Sequence, residues 1–290
     1  MDNLSQIYRK TIKIFLVDGL PTGRMSAELS NWTGKAYKIP RNRLKDCKDR
    51  PDLNGTGVYF LFGEDNEGNN ITYIGEAEDV LKRLNNHLRE KDFWTEVIVL
   101  ISKDDNLNKA HIKYLEHHFY LIAKEAGRYV ITNETIPALP LISESDEAEM
   151  EEFMVNSKLL IGTLGHNIFE KTIERGDTGP YDEKVFYIKA ARGADARMIP
   201  TSEGFVVVKD SEIANPVVKS FPTQVNKIRN TLIENGKIQD RDGKLTLTDD
   251  HIFSSASTAA SFVMGRSANG LTEWKLKSGI TLKEVEGLDE

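Results

Sequence analysis

One stretch, GTGVYFLFGEDNEGNNITYIGEAEDVLKRLNNHL at residues 55–88, constrains the fold more than any other. Two apolar runs, GVYFLF and ITYIG, flank the polar segment GEDNEGNN. Gly, Asn and Asp favour the backbone angles of tight turns, so the stretch reads as an antiparallel hairpin. Side chains alternate across a strand, which sets Tyr59 and Leu61 on one face and Ile71, Tyr73 and Gly75 on one face of the return strand. A register pairing Tyr59 with Tyr73 would stand the two phenols side by side, and Gly57 and Gly75 would leave room for close approach by a backbone or a phosphate. Aromatic pairs on strands are ordinarily packing, so the hairpin alone assigns no chemistry.

The segments that follow add polar groups. In EDVLKRLNNHL the apolar positions Val80, Leu81, Leu84 and Leu88 mark a buried helical face and leave Arg83 and His87 together, four residues apart, on the adjacent face. A guanidinium and an imidazole beside two phenols have the makings of a phosphate site, although Asp79 also stands four residues before Arg83, where an ordinary ion pair would account for it. Ile112, Leu115, Phe119, Ile122 and Ala126 recur at spacings of three and four and predict a helix ending at Gly127. Glu116 borders its apolar face, three residues after Lys113, so a solvated ion pair is the plain reading of that carboxylate.

Around this core the chain reads as mixed α+β. TIKIFLVDG, AELSNW and KAYKIP predict short strands, RNRLKDCKDR a basic helical turn ending before Pro51, and WTEVIVLIS a third strand beside the hairpin. ALPLISESDEAEMEEF passes from a proline-containing loop into an acidic run, which places a helical linker at residues 142–178. Downstream, KVFYIKA, ADARMIP and EGFVVVKD predict an antiparallel meander, PTQVNKIRNTLIEN and STAASFVMG two helices, and GLTEWKLKSGITL a closing hairpin anchored by Trp274. The resulting division is a basic extension at 1–50, a central module at 51–141, the linker, and a C-terminal α+β domain at 179–290.

Charge and cysteine content exclude some functions. The formal charge of −7 opposes indiscriminate phosphate binding, yet residues 1–50 carry 11 Lys and Arg against 5 acids, a basic island in an acidic chain. Arg41, Arg43 and Lys45 in that island are candidate phosphate contacts. Cys47 is the only cysteine, so neither an internal disulfide nor a cysteine-rich zinc site can form, and a free structural thiol is expected. GLPTGR lacks the GK[ST] ending of a phosphate-binding loop, and His111, His117 and His118 do not have the HExxH spacing of a zinc helix. With no leader pattern and no long apolar run, a cytoplasmic protein without a membrane partner is expected.

The order of elements carries a resemblance. GVY, a second tyrosine fourteen residues after the first in YIG, an arginine eight positions past that glycine, a later helical glutamate and a downstream asparagine resemble the GIY-YIG nuclease superfamily over Thr56–Pro137. The resemblance implies a small three-stranded antiparallel sheet flanked by helices, and metal-dependent hydrolysis of phosphodiester bonds. It implies that Tyr59 and Tyr73 are the paired active-site tyrosines, that Arg83 contacts the scissile phosphate, that Glu116 binds a single Mg²⁺ or Mn²⁺, and that Asn133 closes the site, with His87 where some members carry a polar or basic group. DNA is the implied substrate, with RNA left open. Arg83 and the metal would favour the ionised form of a tyrosine acting as base. Glu76, directly after YIG, departs from the basic residue many members have there. The segment 231–284 is similar to an uncharacterised domain family that often follows such nucleases. A noncatalytic nucleic-acid-binding or assembly protein that keeps the nuclease fold as a scaffold is the alternative.

Overall fold

The computed structural model describes residues 9–66, 68–170, 185–201 and 203–287. The chain divides into two compact units, Met1–Lys171 and Thr172–Glu290. The first is built on a seven-stranded sheet. Its strands are β1 (Ile12–Leu16), β2 (Met25–Leu29), β3 (Gly34–Pro40), β4 (Gly57–Glu64), β5 (Asn70–Ala77), β6 (Trp94–Ser102) and β7 (Val130–Ile131), in spatial order β1-β2-β3-β6-β4-β5-β7. Every pairing is antiparallel except β5 with β7. The α+β class is as expected. The sheet is larger than the three strands expected, because β3 pairs with β6 along its whole length, Gly34 opposite Ser102 through Pro40 opposite Glu96. The strands β1, β2 and β3 thus join this sheet, β3 through long-range backbone hydrogen bonds to β6 that no local pattern reports.

Period-two alternation divides the core between the two faces. Val58, Phe60, Phe62, Ile74, Ile98 and Leu100 pack under α2 (Lys109–Ala126) and α3 (Glu144–Thr163). Tyr59, Leu61, Val97, Val99 and Ile101 pack on the opposite face with α1 (Val80–Glu90) and the 3-10 helices Arg41–Asp49 and Pro51–Asn54. β4 is buried along both faces over seven of its eight residues because it lies between β5 and β6 and is covered from both sides. Within the expected linker, α3 belongs to this unit: its Met150, Phe153, Met154, Leu160 and Ile161 enter the core. The expected boundary at residue 178 lies outside the described residues. α1 and α2 start at Asp79 and Asn108, whose side chains accept from backbone N–H groups of the first turn, and α2 stops at Gly127, with φ 67°.

In the second unit β8 (Phe186–Ala190), β9 (Ala194–Thr201) and β10 (Gly204–Val207) form the expected antiparallel meander. β11 (Glu212–Ile213), β12 (Ile238–Arg241), β13 (Lys244–Leu247) and β14 (His251–Phe253) extend it in the order β12-β13-β11-β9-β10-β14, with β8 also on β9. The predicted helices are α4 (Thr223–Glu234) and α5 (Ala256–Met264), and α5 is almost wholly buried. The expected closing hairpin shrinks to single bridges from Lys275 to Tyr187 and Thr281, between helical turns α6 (Gly270–Glu273) and α7 (Leu282–Val285). Local capping explains the change, since Asn269 accepts from Leu271 N–H and Thr281 from Glu284 N–H. Trp274 is the anchor expected, fully buried with Nε1 donating to Ala256 O at 3.0 Å. Among the described residues no helix is long and apolar enough to cross a membrane.

Candidate active site

The register differs from the simplest expectation. Tyr59 lies opposite Gly75, and Tyr73 opposite Leu61, so the two phenols meet on the diagonal with ring centroids 6.3 Å apart. This gives Gly75 a definite task. A Cβ there would lie 2.5 Å from Cζ of Tyr59 and closer still to its hydroxyl, so the space it leaves is filled by the chain's own tyrosine. Tyr59 is thereby drawn down across β5, and its hydroxyl meets Nε2 of His87 on α1 at 2.8 Å.

His87 is fully buried, and its ring also packs against that of Tyr73 at 5.4 Å between centroids. Burial, with the charges of Arg83 and Lys91, pushes its pKa down to about 4, so the imidazole is neutral at neutral pH. Nδ1 has no hydrogen-bond partner but faces the Glu90 carboxylate at 3.6 Å. That carboxylate favours the tautomer with the proton on Nδ1, which leaves Nε2 to accept from Tyr59 O–H.

Arg83, one turn before His87, is half-buried, and its charge is reinforced by a hydrogen bond with Tyr59 and by Tyr73. Asp79 does not take it as an ion-pair partner. The Asp79 carboxylate caps α1 by accepting from Lys82 N–H at 2.9 Å. Lys91, just past the end of α1, holds its ammonium 4.2 Å from the centre of the Tyr73 ring.

Both phenols lie above the ordinary tyrosine pKa. Burial is the first cause for each, and it outweighs the pull of Arg83. Arg83 pulls toward the ionised form as expected, and burial opposes it. Glu116 acts electrostatically on both tyrosines. It comes from α2, on the other side of the sheet, and β5 offers a way round: β7 pairs only with Ile71 and Thr72, so past Ile74 that edge carries no strand. Burial and the neighbouring Glu76 push the Glu116 pKa up to about 7, against the pull of Lys109, Lys113 and Arg83. Glu76 is tied to Lys109 by two hydrogen bonds of 2.8 Å. Lys109, Glu76 and Arg83 line one shallow pocket of about 400 Å³ with Lys82 and Asn86.

The remaining expected residues have other partners. Asn133 spends its amide on the backbone of Ile74, Oδ1 accepting from N–H at 3.0 Å and Nδ2 donating to the carbonyl at 2.7 Å, so its side chain continues the sheet edge where β7 stops. Arg41 donates to the carbonyls of Leu88 and Lys91 at the end of α1, and its guanidinium lies 4.4 Å from the Trp94 ring. Arg43 is paired with Asp18 and Asp46, which offset its charge, whereas Lys45 is exposed. Cys47 is free and buried, as expected. The described residues contain no cluster of three or more His, Cys, Asp or Glu that could hold a metal.

Residues 186–286 match a family described as a domain of unknown function, DUF4357. The match lies in the second unit and does not extend to the sheet that carries the tyrosines. No curated protein and no solved structure matches the chain.

The sequence reading missed Lys91 and Lys109. Lys91 follows the helix by one residue, a position that periodicity does not assign to any face, and Lys109 meets Glu76 across 33 residues of chain.

The fit between Gly75 and Tyr59 gives a direct expectation. Gly75→Ala forces a methyl into the phenol and should cost about 1–3 kcal/mol, the usual range for overpacking, read as a lower midpoint in urea denaturation. An unchanged midpoint would show that the tyrosine is not held against this glycine.

Proposed function

We propose that the first unit hydrolyses phosphodiester bonds, with DNA as its substrate, in the manner of the GIY-YIG nucleases that its sequence resembles. The observation that supports this reading is the convergence on Tyr59: a neutral imidazole hydrogen-bonded to its hydroxyl, a guanidinium beside it and beside Tyr73, and a partly buried carboxyl acting on both tyrosines and on the guanidinium.

Each group has a part in the reaction. Arg83 holds the non-bridging oxygens and offsets the charge that builds on them. Tyr59 orients the attacking water. As the water oxygen bonds to phosphorus, its proton passes to the Tyr59 oxygen while the Tyr59 proton passes to Nε2 of His87. The phosphorus–oxygen bond to the leaving alcohol breaks, and that oxygen takes a proton from solvent. Because the relay starts from a neutral phenol, it fits a site in which burial disfavours phenolate. Tyr73 also reinforces the charge of the guanidinium, and its ring is itself covered by Lys91.

Glu116 is the residue that would hold Mg²⁺ or Mn²⁺, and the fit rests on its chemistry: a carboxylate held near neutral by burial and by Glu76 gains by acquiring a cation. Such an ion, when bound, would supply positive charge to the phosphoryl and leaving oxygens. Glu76 is the other carboxylate acting on Glu116, although Lys109 already satisfies it.

The cation assignment has a readout in stability. Between the ordinary pKa of 4.5 and about 7 the folded chain keeps a proton on Glu116 that the unfolded chain releases, so this group costs stability as pH rises through that interval. Binding of Mn²⁺ should therefore raise Tm more at pH 8 than at pH 5.5, where protons compete, and Glu116→Gln should remove the dependence on Mn²⁺. A Tm shift that persists in Glu116→Gln would place the cation elsewhere.

Activity is tested by incubating plasmid, single-stranded DNA and RNA with Mg²⁺ and with EDTA. Cutting should need the cation, and Tyr59→Phe, Arg83→Ala and Glu116→Gln should each lower its rate by about a hundredfold or more. Full activity in a folded Arg83→Ala protein would sink the assignment. Nucleic-acid binding without any cutting would favour the scaffold reading.

A further inference from the structure

α1 turns Arg83 and His87 toward the tyrosines, and on another side it walls a second depression. This groove has a volume of about 920 Å³ and lies between α1 and the 3-10 helix Arg41–Asp49, with Trp94 and Thr95 of β6 in its lining. Three cations line it, Arg41, Lys45 and Arg89, against one acid, Asp92. The amides of Asn42 and Asn85 line it as well.

The cations are positioned differently. Arg41 is held in place by two neutral carbonyls and by the face of Trp94, contacts that fix its direction without cancelling its charge. Lys45 and Arg89 stand exposed on the two walls, and among the described residues neither is paired with a carboxylate. This contrasts with Arg24, Arg43, Lys35 and Lys38 in the same unit, each of which is tied to an acid. In a chain of formal charge −7, uncompensated cations gathered in one concave surface call for an anionic ligand.

The aromatic content narrows the class of ligand. Trp94 is 1% exposed, so the groove offers no ring on which an unstacked base could lie. Recognition through stacking, the usual way of holding a single strand, is thus absent from this surface. Charges with amides in the same lining suit a sugar–phosphate backbone, read without regard to sequence. The groove also shares a wall with the candidate active site, and Lys91, whose backbone carbonyl holds Arg41 while its ammonium covers the Tyr73 ring, stands between the two.

We infer that this groove is the seat of the phosphate backbone of a nucleic-acid duplex, flanking the bond presented to Tyr59 and Arg83. The inference deepens the hydrolase reading and rests on it for the identity of the ligand. Lys45 and Arg89 each neutralise a phosphate there, and Arg41 gives a third contact of fixed direction. The part expected of Arg41 and Lys45 from the sequence is thereby kept, Arg43 drops out, and Arg89 joins.

The test uses the full chain, in EDTA so that nothing is cut, and a fluorescein-labelled 24-base-pair DNA duplex followed by anisotropy from 50 to 200 mM salt. Lys45→Ala/Arg89→Ala should weaken binding by about tenfold or more at low salt and flatten the log–log salt dependence by about two, one for each phosphate no longer neutralised. The wild-type protein should bind the duplex more tightly than single-stranded DNA, and an RNA duplex arm tells the two backbones apart. Equal affinity and slope in the variant would overturn the groove, as would a wild-type chain that binds no duplex. Hydrolysis of bis(p-nitrophenyl) phosphate, a diester too small to span the groove, is measured in parallel on the wild-type and Glu116→Gln proteins. If the variant loses duplex affinity while the wild type hydrolyses no diester, the groove stands and the hydrolase reading falls. If the wild type hydrolyses the diester and the variant binds unchanged, the groove falls and the hydrolase reading stands.

Discussion

The hydrogen bond between the Tyr59 hydroxyl and His87 Nε2 is the interaction on which the candidate site depends. It is made in the core, where an unpaired hydroxyl or imidazole would be costly, so each group fixes the other. Gly75 makes it possible by having no side chain where the phenol passes, and α1 makes it possible by presenting a histidine one turn after Arg83. Remove the glycine and the phenol must move. Remove the histidine and a buried hydroxyl loses its acceptor.

Burial sets the electrostatic character of the rest. It holds both tyrosines as phenols and His87 as a neutral imidazole, and it keeps a proton on Glu116 up to about pH 7. Among the described residues Arg83 has no ion-pair partner; its contacts around Tyr59 are with neutral phenols, while Glu116 acts on it electrostatically. Asp79 is occupied as a helix cap, and Glu76 is satisfied by Lys109. A guanidinium left uncompensated in this way is available to an anionic oxygen.

The elements of the first unit were largely legible in its residues. Two apolar runs about a Gly- and Asn-rich turn gave β4 and β5, the three-and-four spacing gave α2, and Gly127 ended it as its left-handed backbone requires. Pairings between distant segments were not legible. Nothing in KAYKIP announces that it pairs with WTEVIVLIS, and the two-residue offset between Tyr59 and Tyr73 follows from turn geometry, with Glu64 opposite Asn70, that composition does not specify. The site shows the same division. Tyr59, Tyr73, Arg83 and His87 lie within one short stretch and do meet, though the tyrosines on a diagonal, whereas the amide of Asn133 turned out to extend a sheet edge and the charge of Arg43 to be met by acids elsewhere. The second unit gave its meander by alternation, but in GLTEWKLKSGITL the caps at Asn269 and Thr281 prevailed over strand propensity.

The central claim is that water, oriented by Tyr59 and drawn onto phosphorus beside Arg83, opens a phosphodiester. Cleavage of a defined DNA duplex in H₂¹⁸O with Mg²⁺, followed by mass spectrometry of the fragments, tests it most directly. One ¹⁸O atom should appear on each newly formed terminal phosphate with the wild-type chain, and product formation should be nearly abolished with Tyr59→Phe. Fragments whose phosphates carry no label, or a folded Tyr59→Phe protein that cuts and labels at the wild-type rate, would contradict the account.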